Sequence, residues 1–112
     1  AGFMEIGESI EQAAVRETLE EAQAEVEGIC LFAVLSIPHI GQAYLVFRGP
    51  MSSPDFGAGE ESLEVQLFSP SAIPWDKIAF PVVEEALRRY VDDNARGAFQ
   101  VHVATLPDHR LT

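Results

Sequence analysis

The chain has 112 residues, one cysteine and a formal net charge of −11, from 7 basic and 18 acidic side chains. Hydrophobic residues make up 47%, which excludes a disordered acidic tail. The length suits one small domain and excludes two, the lone cysteine excludes an internal disulfide or cysteine-rich zinc site, and the charge excludes a nucleic-acid face, which needs a basic patch. A protein this acidic handles phosphates most easily through a cation held between them and its carboxylates. No run reaches the roughly 18 apolar residues of a membrane span, and no signal peptide is visible, so reduced cytoplasm is the expected compartment. The chain opens at Ala1-Gly2 and enters acidic helical sequence almost at once, which reads like entry part-way through a domain.

Ser9 is a good N-cap, and Ile10, Ala14, Val15, Thr18, Leu19 and Ala22 gather on one side of a helix over residues 10–22. Residues 29–37 (ICLFAVLSI) form an apolar run whose length and β-branching favour a buried strand. Cys30 lies in that run and reads as inert core. After a break at Pro38 to Gly41, residues 42–47 (QAYLVF) read as a second strand, paired with the first as a hairpin. Residues 49–59 are a loop by composition. Leu63, Val65 and Leu67 alternate with Glu64 and Gln66, which predicts a third, half-buried strand over residues 62–68. Residues 70–80 are irregular, with Trp75 as a packing anchor. Pro81 starts a second helix at about residues 81–95, and Gly97 stops it. The tail, residues 98–112, alternates at Phe99, Val101 and Val103 and predicts a weak strand. His102 and His109 have no metal-ligand partners at useful spacing. The order makes an α+β layer structure around a small sheet with exposed edges.

Within the first helix, Glu17, Glu20 and Glu21 share a face, Glu20 roughly 60° to one side of Glu17 and Glu21 about 40° to the other. Arg16 and Glu20 form an i, i+4 pair. By spacing alone, this is either a solvated acidic face or a seat for a divalent cation.

The surrounding residues bear on that choice. Gly2, Glu8, Arg16, Glu17, Glu20 and Glu21 resemble the Nudix signature G-x5-E-x7-R-E-U-x-E-E-x-G-U, six fixed residues at fixed spacing over residues 2–24. The departure is Gln23, where the family has a glycine that ends the helix in a left-handed conformation. The resemblance implies a Nudix-type α/β/α sandwich with a mixed sheet, here lacking the N-terminal strands, so that residues 1–112 make a partial domain. It also implies Mg²⁺- or Mn²⁺-dependent hydrolysis of a nucleoside diphosphate linked to another group. Glu17, Glu20 and Glu21 would hold metal, with the backbone carbonyl of Ala1 or Gly2 completing the shell. Arg16 would orient a glutamate. The general base would come from the loop GAGEESLEV, with Glu61 ahead of Glu60 and Glu64 placed on the strand.

The segments SIPHIGQAYLVF, GEESLEVQLF and IPWDKIAFPVV resemble the Nudix subset that acts on ADP-ribose, NADH or FAD, a likeness running over about residues 1–100. That likeness makes His39, Gln42 and Tyr44 candidate nucleotide contacts, against plain turn and strand packing. Two further functions stay open at this point: a non-catalytic nucleotide- or protein-binding module on the same fold, and an acidic interaction domain whose helix matches by chance. The partner expected is a small nucleoside diphosphate derivative, with no nucleic acid and no membrane. The unpaired sheet edges predict self-association.

Overall fold

The computed structural model describes residues 2–60, 62 and 64–107. Its elements in order are helix α1 (Ile10–Ala22), strands β1 (Cys30–Ile37) and β2 (Gln42–Arg48), helix α2 (Pro81–Arg96) and strand β3 (His102–Thr105), with short 3₁₀ turns at Pro38–Ile40, Pro70–Ala72 and Trp75–Lys77. The residues fall into two compact units, each made of two chain segments. The first takes Ala1–Cys30 and Phe47–Leu67, and the second Leu31–Val46 and Phe68–Thr112.

In the first unit, α1 begins where its sequence predicts. Ser9 Oγ accepts the Gln12 N–H at 3.1 Å and Gln12 Oε1 accepts the Ser9 N–H at 2.8 Å, a reciprocal cap that satisfies two otherwise orphaned donors. The helix ends at Ala22, and Gln23 takes the left-handed conformation at φ 49°, its N–H donating to the Leu19 carbonyl. Beyond it, an isolated antiparallel bridge joins Val26 to Met51, and the Ser52 N–H donates to the Glu25 carbonyl at 2.8 Å.

The second unit is built on the sheet, in the order β2-β1-β3. The turn between β1 and β2 is too short for a crossover, so the two strands are antiparallel. β3 runs parallel to β1 with Ala33 opposite His102 and Leu35 opposite Ala104, and the sheet is therefore mixed. β1 is the central strand, which explains its unbroken apolar run: Phe32, Ala33, Leu35 and Ile37 are buried. With Val82 and Ala86 of α2 and with Leu106 they form the core, and Tyr44, Val46, Tyr90 and Phe99 pack around it. α2 starts at Pro81, whose missing N–H costs a helix nothing there, and closes on Gly97 at φ 72°. Trp75 is half-buried, with the Arg88 guanidinium 4.3 Å over its ring.

Three expectations need correction. The strand expected at residues 62–68 is absent among the described residues, and Leu67 and Phe68 are exposed. Alternation reports a face that alternates in polarity; a strand also needs a neighbour to take its backbone hydrogen bonds, and this sheet places β3 beside β1 instead. Glu64 accordingly sits on no strand, and its carboxylate accepts from Gln66. Cys30 is exposed, because it opens β1 before the strand enters the core. The tail strand forms, but with its faces reversed: Val101 and Val103 are exposed and His102 is buried. His102 is drawn in by a buried partner, described below.

Candidate functional site

The first unit gathers the acidic residues of α1 around one guanidinium. Arg16 projects from the second turn of the helix and uses all five of its N–H donors. Nε and Nη2 clasp the Glu8 carboxylate at 3.0 and 2.8 Å, and Nη2 also donates to the Phe3 carbonyl at 2.9 Å. Nη1 donates to Glu17 Oε1 at 2.8 Å and to Glu20 Oε2 at 3.2 Å. The Glu5 carboxylate stands 3.7 Å away. A guanidinium so fully engaged has no donor left for a ligand; it acts by holding Glu8, Glu17 and the loop before α1 in place.

Electrostatics follow the geometry. The Glu8 carboxyl is held below the usual carboxylate range by the Arg16 guanidinium and then by the Glu5 N–H, which together outweigh its partial burial. Arg16 is pushed above its already high value, first by Glu8 and then, against burial, by Glu17. Both groups therefore stay charged through the neutral range.

Gly2 packs directly against the Glu17 carboxylate, where any Cβ would overlap it. The approach of backbone to carboxylate explains why the motif begins on glycine. Glu20 is 58% exposed at its side chain and Glu17 only 20%, so the two differ in freedom to move. Among the described residues, no three His, Cys, Asp or Glu side chains stand ready as one metal-ligand set.

The end of α1 meets the loop of residues 57–62. The Gly57 N–H donates to the Ala22 carbonyl at 2.8 Å. The Gly59 N–H and the Ser62 hydroxyl converge on the Glu21 carbonyl at 3.1 and 2.7 Å. These carbonyls are among the last four of a helix, which have no partner within it. A Cβ on Gly59 would overlap the Glu20 carbonyl oxygen, so the close approach requires glycine. Glu60 is exposed in this loop.

The structure thus brings Arg16, Glu17 and Glu20 together and docks the loop of Glu60 on the backbone of Glu21. Ala1, Glu61 and His109 lie outside the described residues. His39 and Gln42 are exposed and Tyr44 is half-buried against the core, all three in the second unit.

The second unit holds a cluster that the sequence did not signal. Asp93 is fully buried on α2, and His102 Nε2 lies 2.7 Å from its Oδ2. Arg96 and the Gln100 N–H also donate to Asp93. Arg89 Nη1 lies 3.1 Å from His102 Nδ1 and, since arginine only donates, Nδ1 accepts and Nε2 carries the proton. Burial pushes the Asp93 carboxyl up, but the hydrogen bonds from His102, Gln100 and Arg96 outweigh it and hold it below its usual range. His102 also meets the Phe32 ring edge-on at 5.1 Å. The one available hint was that His102 shares a strand face with Ala104 and Leu106.

Comparison with known proteins gives a consistent result. No curated protein matches the chain. A crystal structure of a NUDIX hydrolase from Nitrosomonas europaea is 48% identical and superposes with a TM-score of 0.83 over 94% of this chain. The chain spans about 61% of the length of that protein. The sequence profile of the NUDIX domain matches residues 1–90. With a small mixed sheet, two helices and the complete carboxylate set of the signature, the chain belongs to the NUDIX family.

Proposed function

We propose that the protein hydrolyses a nucleoside diphosphate linked to another group, with a divalent cation, Mg²⁺ or Mn²⁺, held by α1. The observation that carries this is the convergence of Glu17 and Glu20 on one side of Arg16, with Gly2 leaving room for backbone beside the Glu17 carboxylate. The donors on offer are all carboxylate and carbonyl oxygens, the hard ligands that Mg²⁺ takes. Glu17, Glu20 and Glu21 would hold the cation, with the Ala1 carbonyl as a further ligand. Glu20 is exposed enough to exchange Arg16 for a cation at little cost. A cation bound there supplies Lewis-acid polarisation of phosphate oxygens and activation of water.

The protein's own groups then divide the work. Arg16 keeps Glu8 ionised and holds the carboxylates of Glu8 and Glu17 in place. Glu61 or Glu60 takes the proton from the attacking water, from the loop docked on the end of α1. Among substrates, ADP-ribose, FAD and NADH are preferred over nucleoside triphosphates, on the likeness of the three segments noted above. His39, Gln42 and Tyr44 are proposed to contact the nucleotide.

The test is release of mononucleotide from ADP-ribose, FAD and NADH with Mg²⁺ or Mn²⁺, with Glu20→Gln beside the parent. Removing one carboxylate ligand is expected to lower kcat by about 100-fold or more, comparable to loss of a major electrostatic contact in a site. Folded protein that turns over none of these substrates with either metal, yet binds a nucleotide, would replace the proposal with a non-catalytic binding module.

A further inference from the structure

We infer that Ser62, with Gly59, is a positioning device that fixes the candidate base Glu60 relative to the metal-binding helix. The inference rests on the hydrolytic reading above. Glu60 follows one anchor, Gly59, and precedes the other, Ser62, and both anchors end on one atom. The Gly59 N–H and the Ser62 hydroxyl reach the Glu21 carbonyl oxygen at 3.1 and 2.7 Å. The Ser62 N–H donates back to the Gly59 carbonyl at 3.1 Å, closing the segment into a tight turn. Gly57 adds a third tie, to the Ala22 carbonyl at 2.8 Å.

The arrangement has two consequences. First, the turn stands on the backbone of Glu21 itself, so its position is referred to the same residue whose side chain is proposed to hold the cation. Second, the turn can approach that closely only because position 59 lacks a side chain, since a Cβ there would overlap the Glu20 carbonyl oxygen. Glu60, the candidate base among the described residues, is held by this clamp. Ser62 touches neither substrate nor cation; it sets where the turn sits. Its bond spans 41 residues of sequence and is the side-chain tie beside the two backbone ties of Gly57 and Gly59.

The experiment compares the parent with Ser62→Ala and Ser62→Thr in the full chain. Ser62→Ala removes the hydroxyl donor, and Ser62→Thr keeps it. With ADP-ribose and Mg²⁺, Ser62→Ala is expected to lower kcat about tenfold with KM changed less than about twofold, because misplacing a proton acceptor affects the chemical step rather than binding. Ser62→Thr is expected to recover kcat to within about threefold of the parent. A second readout is independent of turnover: Mn²⁺ broadens nearby amide resonances, and broadening at Gly59 is expected to weaken in Ser62→Ala and return in Ser62→Thr. An active parent with unchanged kcat and unchanged broadening in Ser62→Ala overturns the clamp and leaves the hydrolytic reading standing. A parent that shows no metal-dependent turnover overturns that reading, and the clamp with it. Equal loss of kcat in the alanine and threonine variants also overturns the clamp, since it would show a packing defect rather than a missing hydrogen bond.

Discussion

Gln23 holds a left-handed backbone at φ 49° with a side chain attached, where the family signature has glycine. For a residue with a Cβ, that conformation costs about 1 kcal/mol. The helix accepts the cost because the turn satisfies its last carbonyls: the Gln23 N–H bonds Leu19, and the next segment supplies Gly57 to Ala22 and Gly59 to Glu21. Gln23→Gly is therefore expected to raise stability by about 0.5 kcal/mol, the relief of strain exceeding the added freedom of the unfolded chain. Urea unfolding of the two proteins measures it, and a lower midpoint in the glycine variant would show that the Gln23 side chain holds the exit of α1. Residues of this kind were legible in the sequence because their spacing carries the chemistry. Glu8 and Arg16 are eight positions apart and still meet as a two-point ion pair. What spacing did not disclose is that Arg16 would exhaust its donors on the protein itself.

Elements were legible where one strand or helix determines its own environment, and not where a partner chooses it. The apolar run of β1 announces a central strand, and Pro81 and Gly97 announce the two ends of α2. The segment at residues 62–68 has as clear an alternation as any strand, yet its described residues find no ladder. β3 shows the converse. Its valines look like the inward face, but Asp93 on α2 offers a buried anion, and His102 turns in to meet it at 2.7 Å. A buried charge without partners would be costly, so satisfying Asp93 outranks burying Val101 and Val103. This pairing ties helix to strand and carries a pH signature. The Asp93 carboxyl titrates below its unfolded value, so its contribution to stability is present above the ordinary carboxylate range and is lost as pH falls through the folded value. Glu8 has the same sign in the same window, so only a difference isolates Asp93. Asp93→Asn is expected to lower the thermal midpoint at pH 7 by about 5 °C or more, and the gap to the parent should narrow between about pH 5 and pH 2. A gap that stays constant over that window would show that Asp93 stabilises through packing alone.

At the scale of the molecule, two terms oppose each other. The sheet of the described residues ends on β2 at one side and β3 at the other, and each edge presents unpaired backbone groups. β3 adds an exposed apolar side chain, Val103 at 75%, and Val101 just before the strand is 55% exposed. Both features favour pairing with another strand, and no described helix is long and apolar enough to cross a membrane and hide them there. Against this stands a net charge of −11, which makes two copies repel. Repulsion between surface charges fades beyond a Debye length, about 30 Å at 0.01 M salt but near 8 Å at 0.15 M. Edge pairing and apolar contact are not screened. Self-association should therefore be weak in low salt and grow with ionic strength, opposite to what an interface built on ion pairs would do. Light scattering at fixed protein concentration, from about 0.01 to 0.5 M NaCl, should show the mean mass rising from monomer toward dimer as screening removes the repulsive term. A charged substitution on the outer face of β3, Val103→Lys, should abolish the rise, because it places an inescapable charge on the pairing edge. A mass that stays monomeric across the whole range, in the parent protein, would show that these edges do not join copies of the chain.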